Sequence, residues 1–175
     1  MTAMPVAYRL ATAADALCVG VLAMQVYLDT YATEGIRPDI ARDVLADYAP
    51  DAYALRLTRP DVRTVLAERA GHLVGFAEIR LQQRCPVSNI ACTTELDRLY
   101  VQQPFHRQGI GAALLRQAEA IARQQATGGL WLTAWSGNAN ALDFYPRQGY
   151  RAVGTAQHWI EGIAYENVVF FKESA

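Results

Sequence analysis

Between Leu96 and Leu115 the sequence changes its period without a gap, and this change limits the folds open to the chain more than any other stretch. Leu96, Arg98 and Tyr100 alternate with Asp97, Leu99 and Val101, the two-residue period of a strand. Pro104 ends it. From Gly109 onward Ile110, Leu114, Ala118, Ile121 and Ala122 recur at helical spacing, with Arg116, Glu119 and Arg123 off the stripe. The junction is therefore a strand feeding the start of a helix. The first amides of a helix have no partner inside it and lie at its positive dipole end, which makes them an anion site. Gly109 and Gly111 place no side chain between those amides and a ligand. Two diphosphate ligands fit this description, a dinucleotide and coenzyme A.

With 175 residues, 52% hydrophobic and 19% charged, the chain has the size and composition of one domain with a full core, and we read residues 1–175 as a single domain. A formal charge of −1 offers no general attraction to nucleic acid or to an anionic membrane. No apolar run is seen to reach the roughly 18 residues a spanning helix needs, and the N-terminus lacks a charged-then-apolar leader pattern. A soluble, cytoplasmic protein is the expectation. Cys18, Cys85 and Cys92 have no metal-ligand spacing, so neither a disulfide framework nor a metal is expected, and the three read as buried or half-buried thiols.

In chain order, Val6 to Leu10 reads as a strand, and Thr12 with Asp15 as a capping-box-like opening to a helix that runs to about Tyr31. Ala16, Leu17, Val19, Leu22, Ala23 and Val26 form its apolar side. A second helix opens at Pro38 and turns Val44, Leu45 and Tyr48 inward, and Pro50-Asp51 opens a further turn. Val62 to Arg69 and His72 to Leu81 are strands joined at Ala70-Gly71, and Glu95 to Val101 completes a meander. After the helix from Gly109 to about Gln125 come a strand over Leu130 to Trp135 and a short helix from Asn138 to Gln148. Two closing strands, Tyr150 to Ile160 and Ala164 to Lys172, flank the turn at Glu161-Gly162.

Two of these segments carry motifs that resemble the GNAT superfamily of acyl-CoA N-acyltransferases. The family pattern Arg/Gln-x-x-Gly-x-Gly/Ala falls on His106-Arg107-Gln108-Gly109-Ile110-Gly111, with His106 departing from the usual Arg or Gln. A second signature, Asn-x-x-Ala-x-x-Phe-Tyr followed by Gly-Tyr, falls on Asn138, Ala141, Phe144, Tyr145, Gly149 and Tyr150. The resemblance covers nearly the whole chain. It implies an α+β fold: a mostly antiparallel, twisted sheet of about seven strands with helices on both faces and splayed fourth and fifth strands. It also implies acetyl-CoA as co-substrate. The pantetheine arm would bond main-chain groups of Leu99, Tyr100 and Val101, and the diphosphate would bond Gln108, Gly109, Ile110, Gly111 and Ala112, with Arg107 as a charge partner. Asn138 matches the asparagine that touches the cofactor, and the same residue type also caps helices.

The implied reaction is direct acetyl transfer to a primary amine of a small molecule or protein. An amine of pKa about 10 is protonated at neutral pH and needs a base. Glu95 matches a strand position that carries the catalytic glutamate in several family members. Asp97 on the same face and a water relay are the alternatives, and a plain surface carboxylate is the bland reading. Tyr145 matches the tyrosine near the coenzyme sulfur that can protonate the departing thiolate, or else it is a core aromatic with a satisfied hydroxyl. Tyr27, Tyr31 and Trp159 are candidate walls of the acceptor pocket. Asp29, Glu34, Asp39, Asp43, Asp47 and Asp51 outnumber Arg37 and Arg42 around it, which suits a cationic amine. A homodimer is a further expectation. A catalytically silent acyl-CoA-binding module is the other reading. A dinucleotide oxidoreductase is a poor one, because Leu114 stands where the third glycine or alanine should be.

Overall fold

In the computed structural model, which describes residues 5–174, the expected elements form nearly where their periods place them. Strand β1 (Val6–Leu10) leads through a one-turn helix (Ala13–Asp15) into α1 (Ala16–Tyr31), α2 (Pro38–Asp47) and α3 (Pro50–Leu57). Then follow β2 (Val62–Arg69), β3 (His72–Leu81), β4 (Thr94–Val101), α4 (Ile110–Gln124) and β5 (Gly129–Trp135). The last elements are α5 (Ala139–Arg147), β6 (Arg151–Ile160) and β7 (Ile163–Glu173). The described residues thus form an α+β fold with five α-helices and a seven-stranded sheet in the order β1-β2-β3-β4-β5-β7-β6. β1/β2, β5/β7 and β6/β7 pair antiparallel. β4 and β5 are parallel neighbours, as a helical crossover between them requires. Two compact units share the chain, one holding residues up to Glu78 with Arg98–Gln117, the other Ile79–Asp97 with the chain from Ala118 on.

In the first unit, Asp15 accepts from the Thr12 amide at 2.7 Å and the Thr12 hydroxyl at 3.0 Å, which starts the helical region as its sequence suggests. α1 buries Ala16, Val19, Gly20, Leu22, Ala23 and Tyr27 and packs on α2 and α3. Gly20 permits that packing, since a Cβ there would stand 2.6 Å from the Tyr48 carbonyl oxygen. Leu17 and Leu45, expected on the inner faces, point outward, because the buried stripes run through Val19, Leu22 and Ala23, and through Ile40, Val44 and Tyr48. One expectation is corrected by composition alone: Ala13–Tyr31 is 19 residues with mean hydropathy 1.3, long and apolar enough to cross a membrane. Here part of its apolar surface serves α2 and α3.

Rings and charges hold this unit together. Tyr27, Tyr48, Tyr53, Phe76 and Tyr100 form a chain with centroids 5.2, 6.1, 6.3 and 5.5 Å apart. Beside it Glu78, with no exposed surface, accepts from Arg56 at 2.7 Å and from Arg98 at 2.8 Å. The Arg98 guanidinium lies over the Tyr48 ring at 5.2 Å.

The second unit has a hydrocarbon core. Between β3 and β4 the chain runs out and back, with Gln83 N–H donating to Thr93 O at 2.9 Å and Cys85 N–H to Cys92 O at 3.0 Å. This excursion folds Cys85, Ile90 and Cys92 onto Trp131, Val169 and Phe171, with Val87, Val153 and Ala156 around them. The Trp131 indole donates to Gln83 O at 2.8 Å. Cys85 and Cys92 are therefore buried thiols as expected, whereas Cys18 is exposed on α1.

Candidate functional site

The strand-to-helix junction lies in the first unit. After β4 a one-turn helix (Gln103–Phe105) follows, and the chain then turns through positive φ at Arg107 (+57°) and Gly109 (+79°). A Cβ at Gly109 would meet nothing within 4 Å, so the glycine serves its backbone conformation and not a lack of space. Ala113 N–H donates to Gly109 O at 3.0 Å and opens the helical ladder. The amides of Gly109, Ile110, Gly111 and Ala112 come before it and have no carbonyl inside the helix to bond.

Side chains of the same loop are engaged in holding it. Gln108 Nε2 donates to Pro104 O at 3.0 Å, Arg69 Nη2 donates to Gln108 Oε1 at 2.7 Å, and His106 Nε2 bonds Val101 O at 2.7 Å. A carbonyl can only accept, so the His106 ring carries its proton on Nε2 in this bond. Arg107 extends into solvent. The bond from Gln102 N–H to Val74 O at 3.0 Å fixes which edge of β4 faces β3. By strand alternation Tyr100 turns its amide and carbonyl toward β3. Leu99 and Val101 turn theirs the other way, and the Val101 carbonyl already receives His106. Gly75 lets β3 approach, since a Cβ there would be 2.7 Å from Tyr100 O.

The proton-handling candidates lie in the second unit. Glu95 stands opposite Trp131 in the β4/β5 register. Arg80 Nη1 is 3.7 Å from Glu95 and 3.9 Å from Asp97, so one guanidinium serves both carboxylates. Tyr145 sits on α5 with its ring buried among Phe144, Tyr150 and Phe170, centroids 5.2, 5.8 and 5.7 Å away. Burial pushes its pKa well above the ordinary tyrosine value, so the hydroxyl keeps its proton. That hydroxyl makes no hydrogen bond to the described residues, unlike the neighbouring Tyr150 hydroxyl, which donates to Glu119 at 3.1 Å. Lys172 bonds the same Glu119 and the Gln148 carbonyl, both at 2.9 Å, and pins the end of α5. Asn138 caps α5 by accepting from Ala141 N–H at 3.1 Å.

Tyr27, expected as a pocket wall, is a core residue whose hydroxyl donates to Asp43 at 2.5 Å, because α2 closes over it. Tyr31 is half-buried against Tyr27 at 4.6 Å. Trp159 belongs to the second unit and is 62% exposed. Of the acidic residues, Asp43 is engaged by Tyr27 and Asp39 by Arg37 at 3.0 Å, whereas Asp29, Glu34, Asp47 and Asp51 face solvent. Among the described residues no three His, Cys, Asp or Glu side chains converge as a metal-ligand set. The sequence reading missed Arg69, Arg80, Glu78 and Arg98. Each acts through a partner at least 15 residues away, and no local period shows such a contact.

A sequence model of the family described as "Acetyltransferase (GNAT) family" matches residues 25–150. The aminoalkylphosphonate N-acetyltransferase of Salmonella typhimurium is 36% identical over 104 residues, 58% of this chain and 64% of that one. The streptothricin acetyltransferase of Streptomyces lavendulae is 34% identical over 111 residues, 61% of this chain and 53% of that one. The match thus spans between half and two thirds of these relatives' length. The fold is shared with the PaiA N-acetyltransferase of Thermoplasma acidophilum, crystallised in complex with coenzyme A. That likeness has a TM-score of 0.80 at 21% identity and covers 97% of this chain and 99% of that one.

Proposed function

The chain belongs to the GNAT acetyltransferase family, and on that premise we propose that it moves the acetyl group of acetyl-CoA directly to a primary amine of a small molecule. The observation that carries this reading is the bare run of amides at 109–112, held at the start of α4 where the family motif falls. These amides would take the donor's diphosphate. The acceptor class follows two relatives above 30% identity, which are named for streptothricin and for an aminoalkylphosphonate. The named acetyltransferases among the relatives do not favour a silent binding module.

In this reading the acceptor arrives as an ammonium and loses a proton to Glu95, directly or through water, with Asp97 on the same guanidinium as the alternative base. Its nitrogen attacks the thioester carbonyl carbon, a C–N bond forms, the C–S bond breaks and the thiolate leaves as the nitrogen gives up its second proton to water. Tyr145 assists the thiolate. A thiol has a pKa near 8.5 and burial raises that of Tyr145, so complete proton transfer from tyrosine to thiolate runs uphill. The hydroxyl therefore works as a hydrogen-bond donor to the developing charge, and the thiolate takes its final proton from water. A bond to a charged group is worth about 1.5–3 kcal/mol, so Tyr145→Phe lowers kcat roughly 10- to 100-fold without abolishing turnover.

Free-thiol release from acetyl-CoA, measured over a panel of primary amines for the wild type and Tyr145→Phe, tests the reading. Turnover with at least one amine, slowed in the variant at unchanged coenzyme Kd, supports it. Tight coenzyme binding with no transfer to any amine would show the chain to be a binding module.

A further inference from the structure

Arg69, the last residue of β2, has no part in the roles assigned above, yet it reaches into the turn that precedes α4. Its Nη2 donates to Gln108 Oε1 at 2.7 Å, across 39 residues of sequence, while Gln108 returns Nε2 to Pro104 O at 3.0 Å. The guanidinium carbon also lies 5.3 Å from the centroid of the Phe105 ring. Its Nε is buried and makes no hydrogen bond to the described residues. One side chain thus holds Phe105 by its face and Gln108 by its edge, and through Gln108 it holds Pro104. The turn it holds is a costly one. Arg107 at φ +57° occupies the left-handed region, which a residue with a Cβ adopts only against steric resistance.

We propose that Arg69 is a positioning residue for the donor: through Gln108 it keeps the 104–109 turn in the shape that presents the amides of 109–112. The diphosphate then binds a loop that is already ordered, and binding does not bear the cost of ordering it. The proposal rests on reading that loop as the diphosphate site. Residue chemistry agrees with it. A planar guanidinium can stack on Phe105 and donate to Gln108 at once, which an ammonium cannot do. Glutamine at 108 both accepts from Arg69 and donates to Pro104, whereas a glutamate would lose the second bond and set a negative charge beside the ligand.

The test is a double-mutant cycle in donor KM, with kcat read separately, for Arg69→Ala, Gln108→Ala, the double variant and Arg69→Lys. Each is run with acetyl-CoA and with dephospho-acetyl-CoA, which lacks the 3′-phosphate, and the same cycle is read as coenzyme Kd by calorimetry. We expect each single variant to raise donor KM about 10-fold and the double to raise it no further than the larger single. In Arg69→Ala kcat at saturating donor should stay within about twofold, and Arg69→Lys should fail to rescue. Multiplicative effects in the double variant would show two independent ligand contacts and overturn the positioning role. A loss seen only with the 3′-phosphorylated donor would make Arg69 a phosphate ligand and overturn it equally. Unchanged KM and Kd in Arg69 variants, with tight wild-type binding, would overturn the proposal alone. A wild type that binds no coenzyme would overturn the donor-site reading beneath it.

Discussion

The two units hold their interiors by different means. One buries a carboxylate between two guanidiniums beside a chain of rings, and the other buries thiols, aliphatic groups and aromatics, with the Trp131 indole and the Cys92 thiol each donating to a carbonyl. The difference decides how each fails. A buried charge that loses its partner cannot be resolvated, so the loss is abrupt, whereas a hydrocarbon core loses stability in proportion to the volume removed. The charged interior is also the one whose chain continues from Arg98 through Leu99 and Val101 to the turn before α4.

The largest effect should therefore come from Glu78. Glu78→Ala removes the buried acceptor that the half-buried Arg56 and Arg98 share and should cost about 3–5 kcal/mol in urea unfolding. Replacing all three members with apolar residues of similar volume should recover much of that loss, because the cost lies in stranded charge and not in the absence of the pair. If the triple variant is no more stable than Glu78→Ala, the ions themselves are what hold this unit.

Ile90→Ala probes the other interior. It removes buried methyl groups from the cluster with Cys85, Cys92, Trp131, Val169 and Phe171 and should cost about 2–4 kcal/mol. Ile90→Val should cost roughly 0.5–1.5 kcal/mol, a graded response that the charged interior would not give. An equal loss for both substitutions would argue that Ile90 acts through the shape of its loop and not its volume.

This contrast also separates what could be read from the sequence from what could not. The bounds of β1, β2 and β3 coincide with their periods, and α4 with its motif begins where the period changes, because alternation and glycine placement are local properties. The Tyr145 and Asn138 positions were legible through a motif within a single helix and its cap. Tyr27 was misplaced because a helical stripe marks a buried face and not what covers it; α2 does so, and Asp43 takes the hydroxyl. The excursion over 82–93 shows no period at all, and its burial depends on β5 and β7 far along the chain. Glu78 reads as one more polar residue on a strand until Arg56 and Arg98 are folded onto it.

The same small substitution in each unit gives the finest comparison. Gly75→Ala sets a methyl 2.7 Å from the Tyr100 carbonyl oxygen and 3.2 Å from the Val101 Cα, so the obstacle is backbone and β3 or β4 must move. The cost should be about 1–3 kcal/mol, and because the strand that moves carries Leu99 and Val101, donor KM should rise with it. Gly154→Ala meets only a Val87 methyl at 2.9 Å, the end of a side chain on a loop that can give way. Its cost should stay under about 1 kcal/mol, and Val87→Ala in the same chain should remove the clash. Thermal unfolding of the two variants, with donor KM alongside, separates an obstacle that is main chain from one that is side chain. A Gly154→Ala loss as large as that of Gly75→Ala, unrelieved by Val87→Ala, would mean that the 82–93 loop is as rigidly held as a strand.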